Sequence, residues 1–133
     1  MAVVVDTDVV SFLYKSDTRA RLYRPHLDGQ LPIISFMTLA ELEQWAAARN
    51  WGARRRHDLL SYLRRYKVHH SSPELCRIWA EAGDGARRVG RPVLTGDAWV
   101  AATALLYGVP LVTNNPGDFA GVRGLTVISE SAP

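Results

Sequence analysis

Apolar and polar positions along the chain follow two different periods. Four short stretches are almost continuously apolar, as expected of strands buried on both faces of a sheet: AVVV (2–5), LPIISF (31–36), VPLVT (109–113) and LTVI (125–128). The longer segments between them repeat their apolar residues at helical spacing. This alternation predicts an α/β domain with a mostly parallel central β-sheet flanked by α-helices.

The segments with helical periodicity have recognisable ends. Ser72 followed by Pro73 is a good N-cap and first helical position, and Thr95 is a candidate cap for the last helix. Gly83 and Gly85 are expected to kink or break the helix that contains them. The predicted helices cover residues 8–15, 18–28, 38–49, 53–66, 73 to about 89, and 97–107.

Length and composition predict one soluble domain. The 133 residues suit a single domain, 1–133, with the last few residues frayed. The lone cysteine, Cys76, allows no internal disulfide and is typical of a cytoplasmic protein. Asp6 and Asp8 interrupt the apolar N-terminus, which has no basic region, so we expect no signal peptide. No apolar stretch approaches the ~20 residues that span a bilayer, so no membrane association is expected.

Positive charge is concentrated in the middle of the chain. Residues 49–91 hold eleven of the sixteen Lys and Arg residues and four acids, a net charge of +7 that leaves −4 for the rest. Arginines beside aromatic residues are typical of RNA-binding surfaces, although two solvated helix faces would give the same pattern. The candidate RNA contacts are Arg54, Arg55, Arg56, Arg87, Arg88 and Arg91.

Four acidic residues lie next to predicted strand ends. Asp6 follows the first strand, Glu41 begins the helix after the second, and Asp118 follows strand 109–113. Asp97 opens the helix before that strand. Ligands of open α/β sheets bind at the carboxyl ends of strands, where these carboxylates would repel one another without a cation. Mg²⁺ or Mn²⁺ is the natural cation for oxygen ligands, and beside a basic surface it suits phosphodiester hydrolysis.

Each of these acids also has a purely structural interpretation. Asp6, or more plausibly Asp8, could cap the following helix. Glu41 stands three residues after Thr38, which is the spacing of a capping box. Asp97 could simply complement a helix dipole, and the fourth acid could be a turn residue.

The sequence resembles the PIN-domain ribonucleases, specifically the VapC-like toxins of bacterial toxin–antitoxin pairs. The matching segments, in the same order and spacing, are VVVDTDVVSFL, ISFMTLAELEQWA and GRPVLTGDAWVAATALLYGVPLVTNNPGDFAGVRGLTVI. The resemblance implies the PIN-domain fold and a metal-dependent endoribonuclease that binds one or two Mg²⁺ or Mn²⁺ ions. It also implies a homodimer and a cognate VapB-like antitoxin that blocks the acidic pocket.

The resemblance implies a catalytic and metal-binding quartet of Asp6, Glu41, Asp97 and Asp118. Glu43 competes with Glu41 within LAELEQWA, but helical spacing turns it toward another face. Three polar residues are implied as supporting residues: Thr113, Asn114 and Asn115. Thr113 is expected to act by hydrogen bonding, and either asparagine could share the work of the fourth acid.

Other classes of protein remain possible from the residues alone. A PIN-domain RNA-processing nuclease without an antitoxin is the alternative enzyme, and a non-catalytic RNA- or nucleotide-binding module is the alternative outside catalysis. A phospho-acceptor receiver domain would need a lysine near the acids, and Lys15 and Lys67 are expected to be poorly placed. Trp45 and Trp51 could face a partner or belong to the core.

Overall fold

The computed structural model describes residues 1–131 and contains a five-stranded parallel sheet in the order β3-β2-β1-β4-β5. The strands are β1 (Ala2–Val5), β2 (Leu31–Ser35), β3 (Lys67–His69), β4 (Leu111–Val112) and β5 (Val127–Ile128). The helices are α1 (Thr7–Lys15), α2 (Ala20–Leu27), α3 (Phe36–Ala48), α4 (Ala53–Leu63), α5 (Pro73–Arg88) and α6 (Thr95–Tyr107), with a 3₁₀ helix at Pro116–Phe119. The predicted α/β class with a parallel sheet is therefore confirmed.

Both faces of the sheet are buried, which explains the continuous apolar runs. Val3 and Val5 face one core cluster together with helices α1, α2, α3 and α4. Val4, between them, faces a second cluster that includes Val100 of α6 and Leu111 of β4. Each valine is at most 4% exposed. A strand with apolar contacts on both sides shows no alternation of polar and apolar residues.

The strand order places a crevice beside β1. The chain runs from β1 to β2 and β3 on one side and then returns to place β4 and β5 on the other. Ligands bind at such a reversal of strand order, outside the carboxyl ends of the strands. Here those ends are brought level because the Asp6 amide donates to the Val112 carbonyl at 2.9 Å.

Four local predictions were wrong in detail. The sequence predicted four strands, and β3 was missed because it has only three residues and begins directly after the predicted helix 53–66. Helix α5 runs unbroken through Gly83 and Gly85, since its neighbouring turns are held by the buried Ala82 and Ala86. Thr95 does not cap α6; Leu94 holds the N-cap position without a side-chain hydrogen bond.

The fourth error concerns the start of α3. The helix begins at Phe36, where the Ser35 hydroxyl accepts a hydrogen bond from the Met37 amide at 3.0 Å. Thr38 is therefore a buried residue inside the first turn, and it forms no capping box with Glu41. The capping interpretation of Glu41 is wrong, which frees its carboxylate for another role.

None of the helices within residues 1–131 is both long and apolar enough to cross a bilayer. The expectation of a frayed C-terminal end concerns, among others, Ala132 and Pro133, which lie outside the described residues.

Candidate active site

A pocket of about 410 Å³ opens at the carboxyl ends of β1 and β4. All four acids of the predicted quartet line it, although they are separated by up to 112 positions in the chain. The complete lining is Asp6, Thr7, Asp8, Ser11, Lys15, Glu41, Leu42, Trp45, Arg49, Asp97, Asn115 and Asp118. Convergence of acids from four separate segments is the feature that distinguishes this cavity.

Asp6 is the most deeply buried of these acids, with 8% of its surface exposed. It is the N-cap of α1, where its carboxylate accepts a hydrogen bond from the Thr7 amide at 2.8 Å. Its second oxygen accepts one from the Thr113 hydroxyl at 2.7 Å. Capping and a place in the pocket are therefore compatible. Thr113 lies where the sequence predicted a supporting hydrogen bond.

Glu41 enters the pocket from α3 and is fixed by the start of α1. Its Oε1 accepts a hydrogen bond from the Thr7 hydroxyl at 2.7 Å. Its Oε2 lies beside the first turn of α6, 3.8 Å from the place where a Cβ on Gly96 would stand. Glu43 lies outside the lining of the pocket, and its Oε1 is buried without a hydrogen-bond partner among residues 1–131.

Asp97 and Asp118 complete the quartet from the other side. Asp97 lies in the first turn of α6, and Asp118 is an exposed residue of the 3₁₀ helix that follows β4. The asparagines between β4 and this helix differ in orientation. Asn115 lines the pocket, whereas the Asn114 side chain accepts a hydrogen bond from the Tyr23 hydroxyl at 2.6 Å.

Burial and mutual repulsion raise the pKa of the pocket acids. Burial raises the pKa of Asp6 to about 7, with further contributions from the charges of Asp8 and Asp97, against the lowering effect of the hydrogen bonds from Thr113 and Thr7. Burial also raises the pKa of Asp97 to about 6, with further contributions from the charges of Asp118, Glu41 and Asp8. The pocket therefore favours protonation or a bound cation.

The profile of the PIN domain family matches residues 3–125 of this chain. The chain belongs to the PIN domain family. It is 27% identical over 131 residues to proteins named ribonuclease VapC1 from Haemophilus influenzae strains R2866 and 86-028NP, covering 94% of this chain and 95% of each relative.

Solved structures share the PIN-domain fold. VapBC2 from Rickettsia felis, bound to a promoter DNA fragment, matches with a TM-score of 0.83 and 19% identity, covering 97% of this chain and 98% of that one. VapBC-1 from nontypeable Haemophilus influenzae matches with a TM-score of 0.78 and 23% identity over the same shares of the two chains.

Asp8 is a pocket residue of this PIN domain that the sequence did not single out. Its Oδ2 accepts hydrogen bonds from the Asn114 amide at 3.1 Å and from the Asn115 side chain at 2.8 Å. Burial raises its pKa, and the charge of Asp118 adds to this effect. The interpretation of Asp8 as the more plausible cap of α1 was wrong, because Asp6 holds the N-cap position and Asp8 lies inside the first turn. The signal available was its position two residues after Asp6, at the same strand end.

Two cations also line the acidic pocket, Lys15 from the end of α1 and Arg49 from the residue after α3. The expectation that Lys15 is poorly placed was wrong, because the packing of α1 against α3 brings its side chain to the pocket rim. Neither cation forms an ion pair with the pocket acids within residues 1–131. The edge of the pocket formed by Lys15 and Arg49 is thus positively charged, whereas its other charged residues are acidic.

The arginines predicted to contact RNA lie outside this pocket and differ in what they touch. Arg87 and Arg88 at the end of α5 both pair with Asp84, at 2.6 and 2.7 Å. Arg56 donates to the Trp51 carbonyl at 3.1 Å, and Arg55 lies over the Trp51 ring. Arg54 and Arg91 are exposed. Their role in RNA binding stays a prediction.

The donor set of this PIN domain fits a hard divalent cation that keeps several water ligands. The pocket offers only oxygen ligands from its acids, and none of these acids forms an ion pair within residues 1–131. Within residues 1–131 no three carboxylate, imidazole or thiolate side chains converge tightly enough to hold a metal ion by themselves. Mg²⁺ needs no closed protein cage, since it is commonly held by one or two carboxylates with water and phosphate oxygens.

Proposed function

We propose that this PIN domain is a metal-dependent endoribonuclease, the toxin of a VapBC-type toxin–antitoxin pair. The observation that carries the proposal is a pocket of carboxylates that have raised pKa values and form no ion pair within residues 1–131. Such an arrangement destabilises the folded chain until a ligand compensates the charge, and it is therefore typical of ligand-binding sites. The similarity to proteins named ribonuclease VapC1 supports RNA as the substrate.

The roles of the residues follow from their positions. Asp6 and Asp97 would hold one Mg²⁺ or Mn²⁺ ion, and Glu41 and Asp118 would complete its surroundings or hold a second ion. A bound ion of this type supplies an activated water molecule and stabilises charge on a phosphate. The products of such hydrolysis are expected to carry 5′-phosphate and 3′-hydroxyl ends.

The chain's own residues orient the acids before any ligand binds. Thr113 donates to Asp6 and Thr7 donates to Glu41, so two of the four carboxylates have fixed rotamers. Asp8 holds the backbone and side chain of the asparagine pair that leads to Asp118. Preorganised oxygens of this kind lose little entropy when a ligand arrives.

The partners of this chain are proposed from the same resemblance. Several similar structures are described as VapBC complexes, which supports a VapB-like antitoxin as partner. We also propose a homodimer that acts in the cytoplasm on cellular RNA. The pocket acids form no ion pair within residues 1–131, which leaves them open to a basic antitoxin side chain.

The direct test maps new 5′-phosphate ends across total RNA after induction of the wild type, Asp97→Asn or Asp58→Asn. Asparagine keeps the volume of Asp97 and removes one repelling charge, so folding should survive while cleavage falls at least 100-fold. Asp58 is an exposed acid of α4 and supplies the matched control.

Discrete ends in the wild type and the control, but not in Asp97→Asn, are expected. Equal cleavage by Asp97→Asn would contradict the assignment of the site. The absence of new ends in all three strains, with folded protein and no antitoxin, would contradict the nuclease itself.

A further inference from the structure

A second cavity, of about 540 Å³, adjoins the acidic pocket and shares Lys15, Trp45 and Arg49 with it. We call the six residues that line it the basic bank: Tyr14, Lys15, Trp45, Arg49, Trp51 and Arg55. Three of the six are cations and three are aromatic, and none is an acid. The surface therefore changes from strongly acidic to strongly basic across a shared border.

Aromatic rings hold the cations of the basic bank in place. Lys15 Nζ lies 4.3 Å and Arg49 Cζ 4.6 Å from the centroid of the Trp45 ring. Arg55 Cζ lies 4.1 Å from the centroid of the Trp51 ring. The two indole rings pack together with their centroids 5.0 Å apart. A cation held on a ring face keeps its N–H donors available for another ligand.

These cations are also free of acidic partners. No ion pair within residues 1–131 includes Lys15, Arg49 or Arg55, and all three residues are exposed. The contrast is Arg87 and Arg88, whose charges are both compensated by Asp84. A positioned but uncompensated cluster of positive charge has a strong electrostatic attraction for a polyanion.

We propose that the basic bank binds the phosphates of single-stranded RNA next to the bond that is cut, an inference that rests on the proposed function. The acidic pocket repels the substrate's phosphates, so an adjoining surface has to draw the strand toward it. Lys15 and Arg49 are positioning residues on the shared border, and Arg55 extends the contact away from the pocket. Charge complementarity over three cations favours RNA over a protein segment.

The test measures RNA affinity without cleavage. A fluorescein-labelled single-stranded RNA of mixed sequence and about 12 nucleotides, long enough for a full strand-binding site, is titrated with full-length Asp97→Asn in EDTA. Two double variants are made in the Asp97→Asn protein, namely Arg49→Ala/Arg55→Ala and the charge-preserving Arg49→Lys/Arg55→Lys. The matched control is Arg21→Ala/Arg77→Ala, two exposed arginines on α2 and α5 that remove the same charge.

We expect the Kd of the Arg49→Ala/Arg55→Ala protein to rise about tenfold or more, and its salt slope to fall by about 1 to 2. The lysine variant should keep most of the slope, and the control should bind like its parent. Circular dichroism verifies the fold of each variant.

Equal affinity of the alanine variant and the control would overturn the inference. So would undetectable RNA binding by the parent. The result is separable from the proposed function. Loss of RNA binding by the alanine variant supports the basic bank even if the wild type cleaves nothing. Cleavage by the wild type with unchanged binding by the variant refutes the basic bank alone.

Discussion

The acidic pocket and the C-terminal end of α5 are both rich in charged side chains, but these side chains are exposed and ion-paired only at the end of α5. At the end of α5, Asp84, Arg87 and Arg88 form two ion pairs in which the side chains are 43%, 70% and 74% exposed. In the pocket, Asp6 is 8% exposed and is surrounded by other carboxylates. Charge density in the sequence is therefore a poor guide to a functional site, whereas buried charge without an ion-pair partner indicates a candidate site.

The two regions also differ in the direction of their pKa shifts. Hydrogen bonds from Arg87, with the charges of Arg88 and Arg87, lower the pKa of Asp84, so its ionised form stabilises the fold. Burial raises the pKa of Asp6 to about 7 and that of Asp97 to about 6, so their ionised forms destabilise the fold. The ionised pocket acids therefore lower the free energy of unfolding, and a bound cation would raise it again.

The largest expected effect is on the stability of the metal-free protein. Because the pKa of Asp6 is raised from 3.8 to about 7 on folding, the folded state binds more protons than the unfolded state between these values. Its contribution to the free energy of unfolding falls as pH rises through this range, by on the order of 4 kcal/mol in all, and stays low above pH 7. Thermal unfolding in EDTA at pH 5 and pH 8 measures the difference.

The matched variant for this prediction is Asp6→Asn, which keeps the shape of the side chain and cannot ionise. In EDTA at pH 8 it should be more stable than the wild type, and at pH 5 the advantage should be much smaller. Millimolar Mg²⁺ at pH 8 should stabilise only the wild type, by about 2.7 kcal/mol when the ion is at 100 times its Kd. A constant difference between the two proteins at both pH values would refute the raised pKa.

A smaller effect is expected for Asp8→Asn. Asp8 accepts hydrogen bonds from Asn114 and Asn115, so the variant loosens the segment that carries Asp118. We expect kcat to fall about tenfold, equivalent to ~1.4 kcal/mol of transition-state stabilisation, with the fold intact. Cleavage of an RNA substrate identified by end mapping gives the rate. A rate equal to that of the wild type would limit Asp8 to stabilising the first turn of α1, where it accepts a hydrogen bond from the Val9 amide.

The smallest effect is expected for the ion pairs at the C-terminal end of α5. Arg87→Ala/Arg88→Ala breaks two exposed ion pairs, which contribute little to stability in water. The midpoint of thermal unfolding and the salt slope of RNA binding should both match the wild type. A clear fall in the salt slope would instead show that these arginines contact RNA, as the sequence predicted.

The sequence predicted the regular part of this fold because strand burial and helix periodicity are local patterns. The carboxyl ends of β1 and β4 could be located from AVVV and VPLVT, and with them the places of Asp6 and Asp118. Strand β3 was missed because three residues are too few to show a recognisable pattern of apolar and polar positions. Its pairing with β2 is a property of the assembled sheet.

The candidate site was predictable from single segments of sequence and not where it depends on contacts between distant segments. Asp8 was missed because the capping interpretation was sufficient on local grounds, and its bonds to Asn114 and Asn115 cross 106 and 107 residues. Lys15 was missed because its place depends on how α1 packs against α3. Local sequence does not contain that packing angle.

The central claim is that the pocket acids hold a divalent metal ion, and direct Mn²⁺ binding tests it without any substrate. The electron paramagnetic resonance signal of free Mn²⁺ reports the bound fraction at pH 8 for the wild type, Asp97→Asn and the control Asp58→Asn. We predict saturable binding to the wild type and the control, with a Kd at least about tenfold higher for Asp97→Asn, a loss of at least ~1.4 kcal/mol. Equal binding by all three proteins, or none by the wild type, would contradict the metal site.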